Sequence, residues 1–165
     1  MRVVRSIVLL VGLGWVSVSC TPLSPSKERA SDVYAAVIRW FAAQHDPAVA
    51  LKVFVEPRGE GSSINVDVQA EVVTAVEDVA VVRFIDTRDE ALEDDSSGLL
   101  VVRDEGVLIA FGPVQNDAAA VTLEVDQYLS ETMLRTFRFD FSHQSDGWVI
   151  KGRTSFDEAV TPDEG

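Results

Sequence analysis

The pattern of apolar and polar positions divides the chain into a helical first part and a strand-rich second part. Over Glu28–His45 apolar residues recur every three or four positions, which predicts an amphipathic helix. The helix is expected to end at Asp46-Pro47, because the residue before a proline avoids helical dihedral angles. Leu51–Glu56 alternates like a strand, and Asp67–Val76 fits the face of a second helix, although its valines weaken that prediction.

From Leu99 onwards the pattern predicts an antiparallel meander, which follows two earlier strands. Strands are expected at Val79–Asp86, Leu99–Val102, Val107–Val114, Val121–Tyr128, Thr136–Ser142 and Trp148–Phe156. The second and third of these are expected to pair through Arg103–Gly106, and Asp146-Gly147 is a hairpin turn signal. Helices first and strands later indicate an α+β fold, with an N-terminal helix and a second helix on one face of a mostly antiparallel, meandering sheet.

The first twenty residues have the layout of an export signal. Arg2 and Arg5 carry positive charge at the start, and the uncharged apolar stretch Ile7–Val18 follows them. This stretch is shorter than the roughly 20 apolar residues that a permanent transmembrane helix needs. The sequence therefore predicts a signal peptide over residues 1–19 and an exported mature chain.

The stretch Val16-Ser17-Val18-Ser19-Cys20 resembles the lipobox of bacterial lipoproteins. The resemblance covers residues 1–20. It implies that Ser19 precedes the cleavage site and that Cys20 becomes the new N-terminus with diacylglycerol on its thiol. Lipoboxes usually have Leu three positions before the cysteine, where this chain has Ser17. Cys20 is the only cysteine, and lipidation would account for an odd cysteine in an exported protein. The resemblance therefore implies that the mature protein is anchored at the extracytoplasmic face of the cell membrane.

Length and charge suggest one acidic domain behind this anchor. Removal of residues 1–19 from the 165 leaves 146 and takes away two arginines, so the net charge changes from −13 to −15. A domain with this negative charge is expected to be repelled by nucleic acids and by anionic lipid surfaces. The expected divisions are a linker at 20–27, a single domain at 28–156 and an acidic tail at 157–165.

Candidate chemistry is sparse. The acidic connection Asp86–Gly98 could suit calcium, but it lacks EF-hand spacing and is better explained as a solvated loop. One cysteine and two histidines argue against a Cys/His metal site, and no metal or cofactor is predicted. The chain has no Gly-x-Ser-x-Gly elbow, HExxH motif or phosphate-binding glycine loop. His45 at a helix end and His143 at a strand end have structural explanations.

The element order and the closing strand Trp148-Val149-Ile150 resemble the NTF2-like cone fold. The stretch Gly106–Pro113 also resembles a Gly-Val-Leu-Ile-x-x-Gly-Pro stretch in uncharacterised proteins of high-GC bacteria. The cone resemblance implies a cavity between helix and sheet that polar or aromatic side chains could line. These side chains are Tyr34, Trp40, Asp126, Tyr128, Arg138 and Asp140. The alternative, which we prefer, is that Arg138 and Asp140 belong to a cross-strand ion pair on a wet strand face.

Two functions remain open at this point. The first is a lipid-anchored envelope protein whose domain binds a partner without catalysis. The second is a cone-fold enzyme or small-ligand-binding protein with a pocket between helix and sheet, acting on a small apolar ligand. A third, weaker hypothesis is that the edge of strand Leu51–Glu56 or Val121–Tyr128 pairs with another chain.

Overall fold

The computed structural model describes residues 27–117, 120–145 and 147–159. The predicted signal peptide, Cys20 and most of the predicted linker lie outside these ranges, as do Asp146 of the predicted turn and the last six residues of the predicted tail. The two helices are α1 (Lys27–Ala42) and α2 (Val66–Val76). The strands are β1 (Leu51–Pro57), β2 (Ala80–Phe84), β3 (Leu92–Asp94), β4 (Leu100–Val102), β5 (Val107–Phe111), β6 (Gln115–Asp117), β7 (Ala120–Ser130), β8 (Met133–Gln144) and β9 (Gly147–Ala159).

The main sheet has the strand order β2-β1-β5-β7-β8-β9, with β6 paired to β7. Strands β5, β7, β8 and β9 form antiparallel pairs, whereas β1 is parallel to both β2 and β5. The α+β prediction is confirmed, including the second helix and the β8–β9 hairpin. Strand β9 continues to Ala159, so it includes the first three residues of the predicted tail.

The predicted hairpin between the Leu99 and Val107 strands is wrong. Strand β4 pairs with β3 in a separate two-stranded ribbon, and β5 inserts beside β1. The chain leaves β4 through a turn in which Asp104 and Glu105 have φ angles of 59° and 55°. All five residues of β5 are buried, and a continuous apolar run is typical of an inner strand in a parallel arrangement.

The main core lies between the helices and one face of the sheet. Helix α1 contributes Val33, Val37, Ile38 and Phe41, and α2 contributes three valines of one stripe. The sheet contributes alternate residues, such as Phe137, Phe139 and Phe141 of β8. Each fully buried side chain of this size contributes roughly 1.5–3 kcal/mol.

The opposite face of the sheet, which we call the distal face, points away from both helices. The β3–β4 ribbon covers one end of it, where Leu92 and Leu100 pack against Phe54, Leu108 and Tyr128 in a second, smaller core. The rest of the distal face carries polar side chains, because strand residues alternate between the two faces.

The third hypothesis placed free edges at β1 and β7, and this is wrong. Strand β1 lies between β2 and β5, and β7 lies between β5 and β8, so both strands have neighbours on either side. Among the strands that the structure describes, β2 and β9 form the edges of the main sheet. None of the described helices is both long and apolar enough to cross a membrane.

Candidate functional site

The six side chains predicted to line one pocket lie on opposite sides of the sheet. Tyr34 and Trp40 belong to α1 and contact the helix-side core. Asp126 and Tyr128 alternate with the core residue Val125, so they point to the distal face. The same alternation in β8 places Arg138 and Asp140 on that distal face. A sheet therefore separates the two groups.

Tyr34 serves the attachment of α1 to the sheet. Its ring stacks on that of Phe111 with the centroids 4.5 Å apart and the planes 7° from parallel. Its hydroxyl donates a hydrogen bond of 3.1 Å to the carbonyl oxygen of Gly112. Burial raises the pKa of Tyr34, which keeps the hydroxyl protonated as a donor.

Trp40 helps to fill the space in which a cone fold would hold its cavity. Its ring makes edge contacts with Phe137 and Phe139 at centroid distances of 5.4 Å. On its outer side, the guanidinium of Arg153 lies 4.5 Å from the ring centroid, a cation–π contact that ties β9 to α1. Aromatic side chains thus occupy this interface between helix and sheet.

A cluster of charged residues crosses the distal face next to the ribbon. One row of the sheet runs from Glu56 through Ala110 and Asp126 to Thr136, each residue opposite the next on a neighbouring strand. The side chains of Glu56 and Asp126 are each only 13% exposed. Two carboxylates held this far from water need cationic or hydrogen-bond partners.

Arg58 supplies the partner on one side of the row. Its Nε donates to Asp126 at 2.7 Å, and its Nη1 donates to Glu124. Burial opposes the charged guanidinium, but hydrogen bonds and charges from both carboxylates outweigh this effect and raise the pKa of Arg58. The second oxygen of Asp126 accepts a 2.7 Å hydrogen bond from the hydroxyl of Thr136, which is 2% exposed.

Arg88 supplies the partner on the other side. Its Nε and Nη2 both donate to one oxygen of Glu56, at 3.1 and 2.5 Å. Its guanidinium also lies 5.9 Å from the ring centroid of Tyr128, whose pKa is raised by burial and by the negative charge of Glu131. The ion cluster, defined as Glu56, Arg58, Arg88, Glu124 and Asp126, therefore holds two arginines between three carboxylates.

The ion pair preferred for Arg138 and Asp140 does not form among the residues described. Arg138 lies opposite Glu124 on β7, and Asp140 lies opposite Thr122 and, on β9, Gly152. Of the six side chains predicted to line a pocket, only Asp126 belongs to the ion cluster, and Tyr128 borders it. The alternation of Glu124, Asp126 and Tyr128 is the sequence signal for this site. Arg58 and Arg88 lie outside strands, so no periodic pattern marks them.

The acidic connection uses its carboxylates to hold its own turns. Asp95 accepts hydrogen bonds from the hydroxyl and backbone amide of Ser97 and from the amide of Leu99, and these lower its pKa. Glu90 likewise accepts from the amides of Asp86 and Thr87. No group of three potential metal-ligating side chains occurs in the described ranges.

Two shallow clefts, of about 200 and 150 Å³, lie where the parallel strands end. Both are bordered by Pro57 and by Ser62–Ile64, the loop that leads into α2. In other parallel sheets this edge is a frequent ligand site. Here the α2 N-terminus is already capped by Asn65, whose side chain accepts from the amide of Asp67. An acidic residue in the first turn further disfavours an anion there.

No protein-family model matches this chain, and no curated protein sequence matches it either. The ion cluster and the clefts are therefore interpreted from their own geometry. The ion cluster can hold a rigid polar surface in place, because each of its partly buried carboxylates has an arginine partner.

Proposed function

We propose that this protein is a lipid-anchored envelope protein whose domain acts as a non-catalytic binding or accessory module outside the cytoplasmic membrane. The observation that carries the proposal is the stretch Val16–Cys20 behind a basic start and an apolar run, together with the absence of a second cysteine. Diacylglycerol on Cys20 would supply two acyl chains, enough for stable attachment. The partner would be another envelope component, and its identity stays open.

The distal face supports a binding role better than catalysis. A general acid or base needs a pKa tuned towards the working pH and an accessible reacting atom. In the ion cluster, Arg58 and Arg88 donate hydrogen bonds to the carboxylates of Asp126 and Glu56, which fixes the geometry of these side chains. Such a rigid mixed-charge surface suits recognition of a polar partner.

The helix-side core gives less support to the alternative, a cone-fold enzyme or a small-ligand-binding protein. That function needs an enclosed pocket between helix and sheet. Trp40, Phe41, Phe137 and Phe139 contact one another in that space. A ligand of the size of a small apolar molecule would have to displace several of these rings.

Intact-mass measurement of protein purified from its host membrane tests the anchor. We expect the wild type to begin at Cys20 and to carry the added mass of its lipid, and the Cys20→Ala variant to remain an unlipidated precursor. Ser17→Leu, which restores the usual lipobox residue, serves as the positive control for processing. Wild-type protein without lipid in the medium, beside a lipidated Ser17→Leu variant, would overturn the proposal.

A further inference from the structure

Strand β9 is the longest strand and forms an edge of the main sheet. Within the described ranges it pairs with β8 alone. The register shifts once, because Gly152 lies opposite Asp140 while Ile150 lies opposite Phe141, so Lys151 is an extra residue in a bulge. Gly152–Ala159, beyond this bulge, is an eight-residue edge in regular register. Such an edge is a template for another strand.

The side chains of this edge segment carry both signs of charge and one exposed aromatic ring. Arg153, Ser155 and Asp157 share the helix side of the sheet, and Thr154 and Phe156 share the distal face. Phe156 is 57% exposed and is the one aromatic ring among the large apolar side chains exposed in the described ranges. Arg153 lies over the Trp40 ring, and Asp157 pairs with Arg135 at 2.6 Å.

We propose that β9 pairs antiparallel with β9 of a second copy of this chain, about a two-fold axis at Ser155. In this register Arg153 of each copy lies opposite Asp157 of the other, and Thr154 lies opposite Phe156. Every contact therefore occurs twice, as an isologous interface requires. Opposite charges directly across an antiparallel pair are stabilising, and an aromatic ring packs well on a β-branched neighbour.

Neighbouring registers of the two β9 strands pair the charged side chains less well than the register with its axis at Ser155. An axis at Thr154 would set Arg153 opposite Ser155 and bring Asp157 to the bulge at Lys151. An axis at Phe156 would place Asp157 opposite Ser155. The register centred on Ser155 matches both charges within the regular segment.

Disulfide trapping tests the axis directly. Residues directly opposite on antiparallel strands have Cα atoms about 4.5–5.5 Å apart, which suits a disulfide. We expect the full mature chain with Ser155→Cys, in mild detergent, to form a covalent dimer on oxidation. Lys151→Cys lies on the same strand, but its two copies would be about 26 Å apart, so it is the matched control. Wild type reports any contribution from Cys20. Equal trapping of both variants, or trapping of neither, would overturn the proposal.

A charge-swap mixture tests the register independently of folding. Arg153→Asp places two acids opposite each other in both contacts, and Asp157→Arg places two arginines opposite each other. We expect each variant alone to dimerise at least about tenfold more weakly than wild type. Mixed together, the two variants should form heterodimers with both charge pairs restored, visible by native mass spectrometry. A mixture that shows no preference for heterodimers would contradict the proposed contacts.

Discussion

A single glycine controls how closely the turn before β5 approaches β1. A Cβ atom built on Gly106 would lie 2.8 Å from the carbonyl oxygen of Lys52 and 3.2 Å from the Phe54 ring. The backbone of Gly106 is extended, with φ of −80°, so any residue could adopt it and the close contact alone requires glycine. Gly112, at the other end of the same stretch, would bring a Cβ to 3.0 Å from the Glu124 carbonyl.

We therefore expect Gly106→Ala to lower the free energy of unfolding by about 1–3 kcal/mol, because a backbone atom must move to make room. Urea denaturation, followed by the midpoint at constant slope, measures the effect. Ser96→Ala, in an exposed turn, is the control and should leave the midpoint unchanged. An equal response of both variants would mean that this turn has space for a side chain.

The hydroxyl of Thr136 is the second residue-scale feature with a measurable role. It is buried and donates to Asp126, whose other oxygen is bound by Arg58. Thr136→Val keeps the shape but leaves that carboxylate one donor short, so we expect a loss of about 1 kcal/mol in unfolding free energy. Thr122→Val, on the same distal face but in no described side-chain hydrogen bond, should change stability by less. If Thr136→Val is neutral, the ion cluster does not depend on this hydrogen bond.

At the scale of elements, α2 owes its place to one stripe of valines. Val72 is fully buried, whereas its neighbour Val73 is 40% exposed. Val72→Ala should cost about 2 kcal/mol through lost burial and the cavity it leaves. Val73→Ala should be neutral or slightly stabilising, because alanine has the higher helix propensity. Thermal or urea unfolding of both variants measures the two effects. Losses of unfolding free energy of similar size would argue against this orientation of α2.

Helix α1 is also joined to the turn that follows α2 by an ion pair that acid should break. Arg39 donates to both oxygens of Asp78 at 2.8 and 3.0 Å, and its hydrogen bonds and charge lower the pKa of Asp78. A carboxyl group with a lower pKa in the folded state adds stability above its unfolded pKa, and loses it as the pH falls through the folded value.

Asp78→Asn should accordingly be less stable than wild type at neutral pH. The difference should begin to shrink near pH 4, where unperturbed aspartates protonate, and should vanish only below the lowered pKa that Asp78 has in the folded protein. Unfolding curves across that range measure it. Asp94→Asn, an exposed carboxylate in no described ion pair, controls for the general effect of charge. A difference between wild type and Asp78→Asn that stays constant with pH would exclude this pair as its source.

The elements that the sequence predicted well are those with a regular period and a clear stop. Helix α1 and the Phe137–Phe141 alternation of β8 have such signals, and both formed. Which strand pairs with which was harder to predict from the sequence. Nothing in Val107–Phe111 distinguishes a hairpin arm from an inner parallel strand except its lack of polar positions. The ion cluster was missed for a similar reason, because Arg58 and Arg88 reach it from loops that long-range pairing positions.

At the scale of the whole molecule, charge and lipid predict different responses to salt. The body is expected to carry a net charge of −15 after processing, so an anionic membrane would repel it and salt would weaken that repulsion. A protein held by basic residues would behave in the opposite way, because salt would release it. Attachment that survives salt must therefore come from an apolar anchor.

Protein purified with its lipid and reconstituted on vesicles can separate these causes. We expect it to float with neutral and with anionic vesicles and to stay bound through a high-salt wash. Treatment with an ester-cleaving lipase should release it, because at most one acyl chain would remain and one chain binds only marginally. A mock-treated sample is the control. Release by salt alone, or retention after complete lipase cleavage, would show that something other than diacylglycerol on Cys20 holds this acidic domain at the membrane.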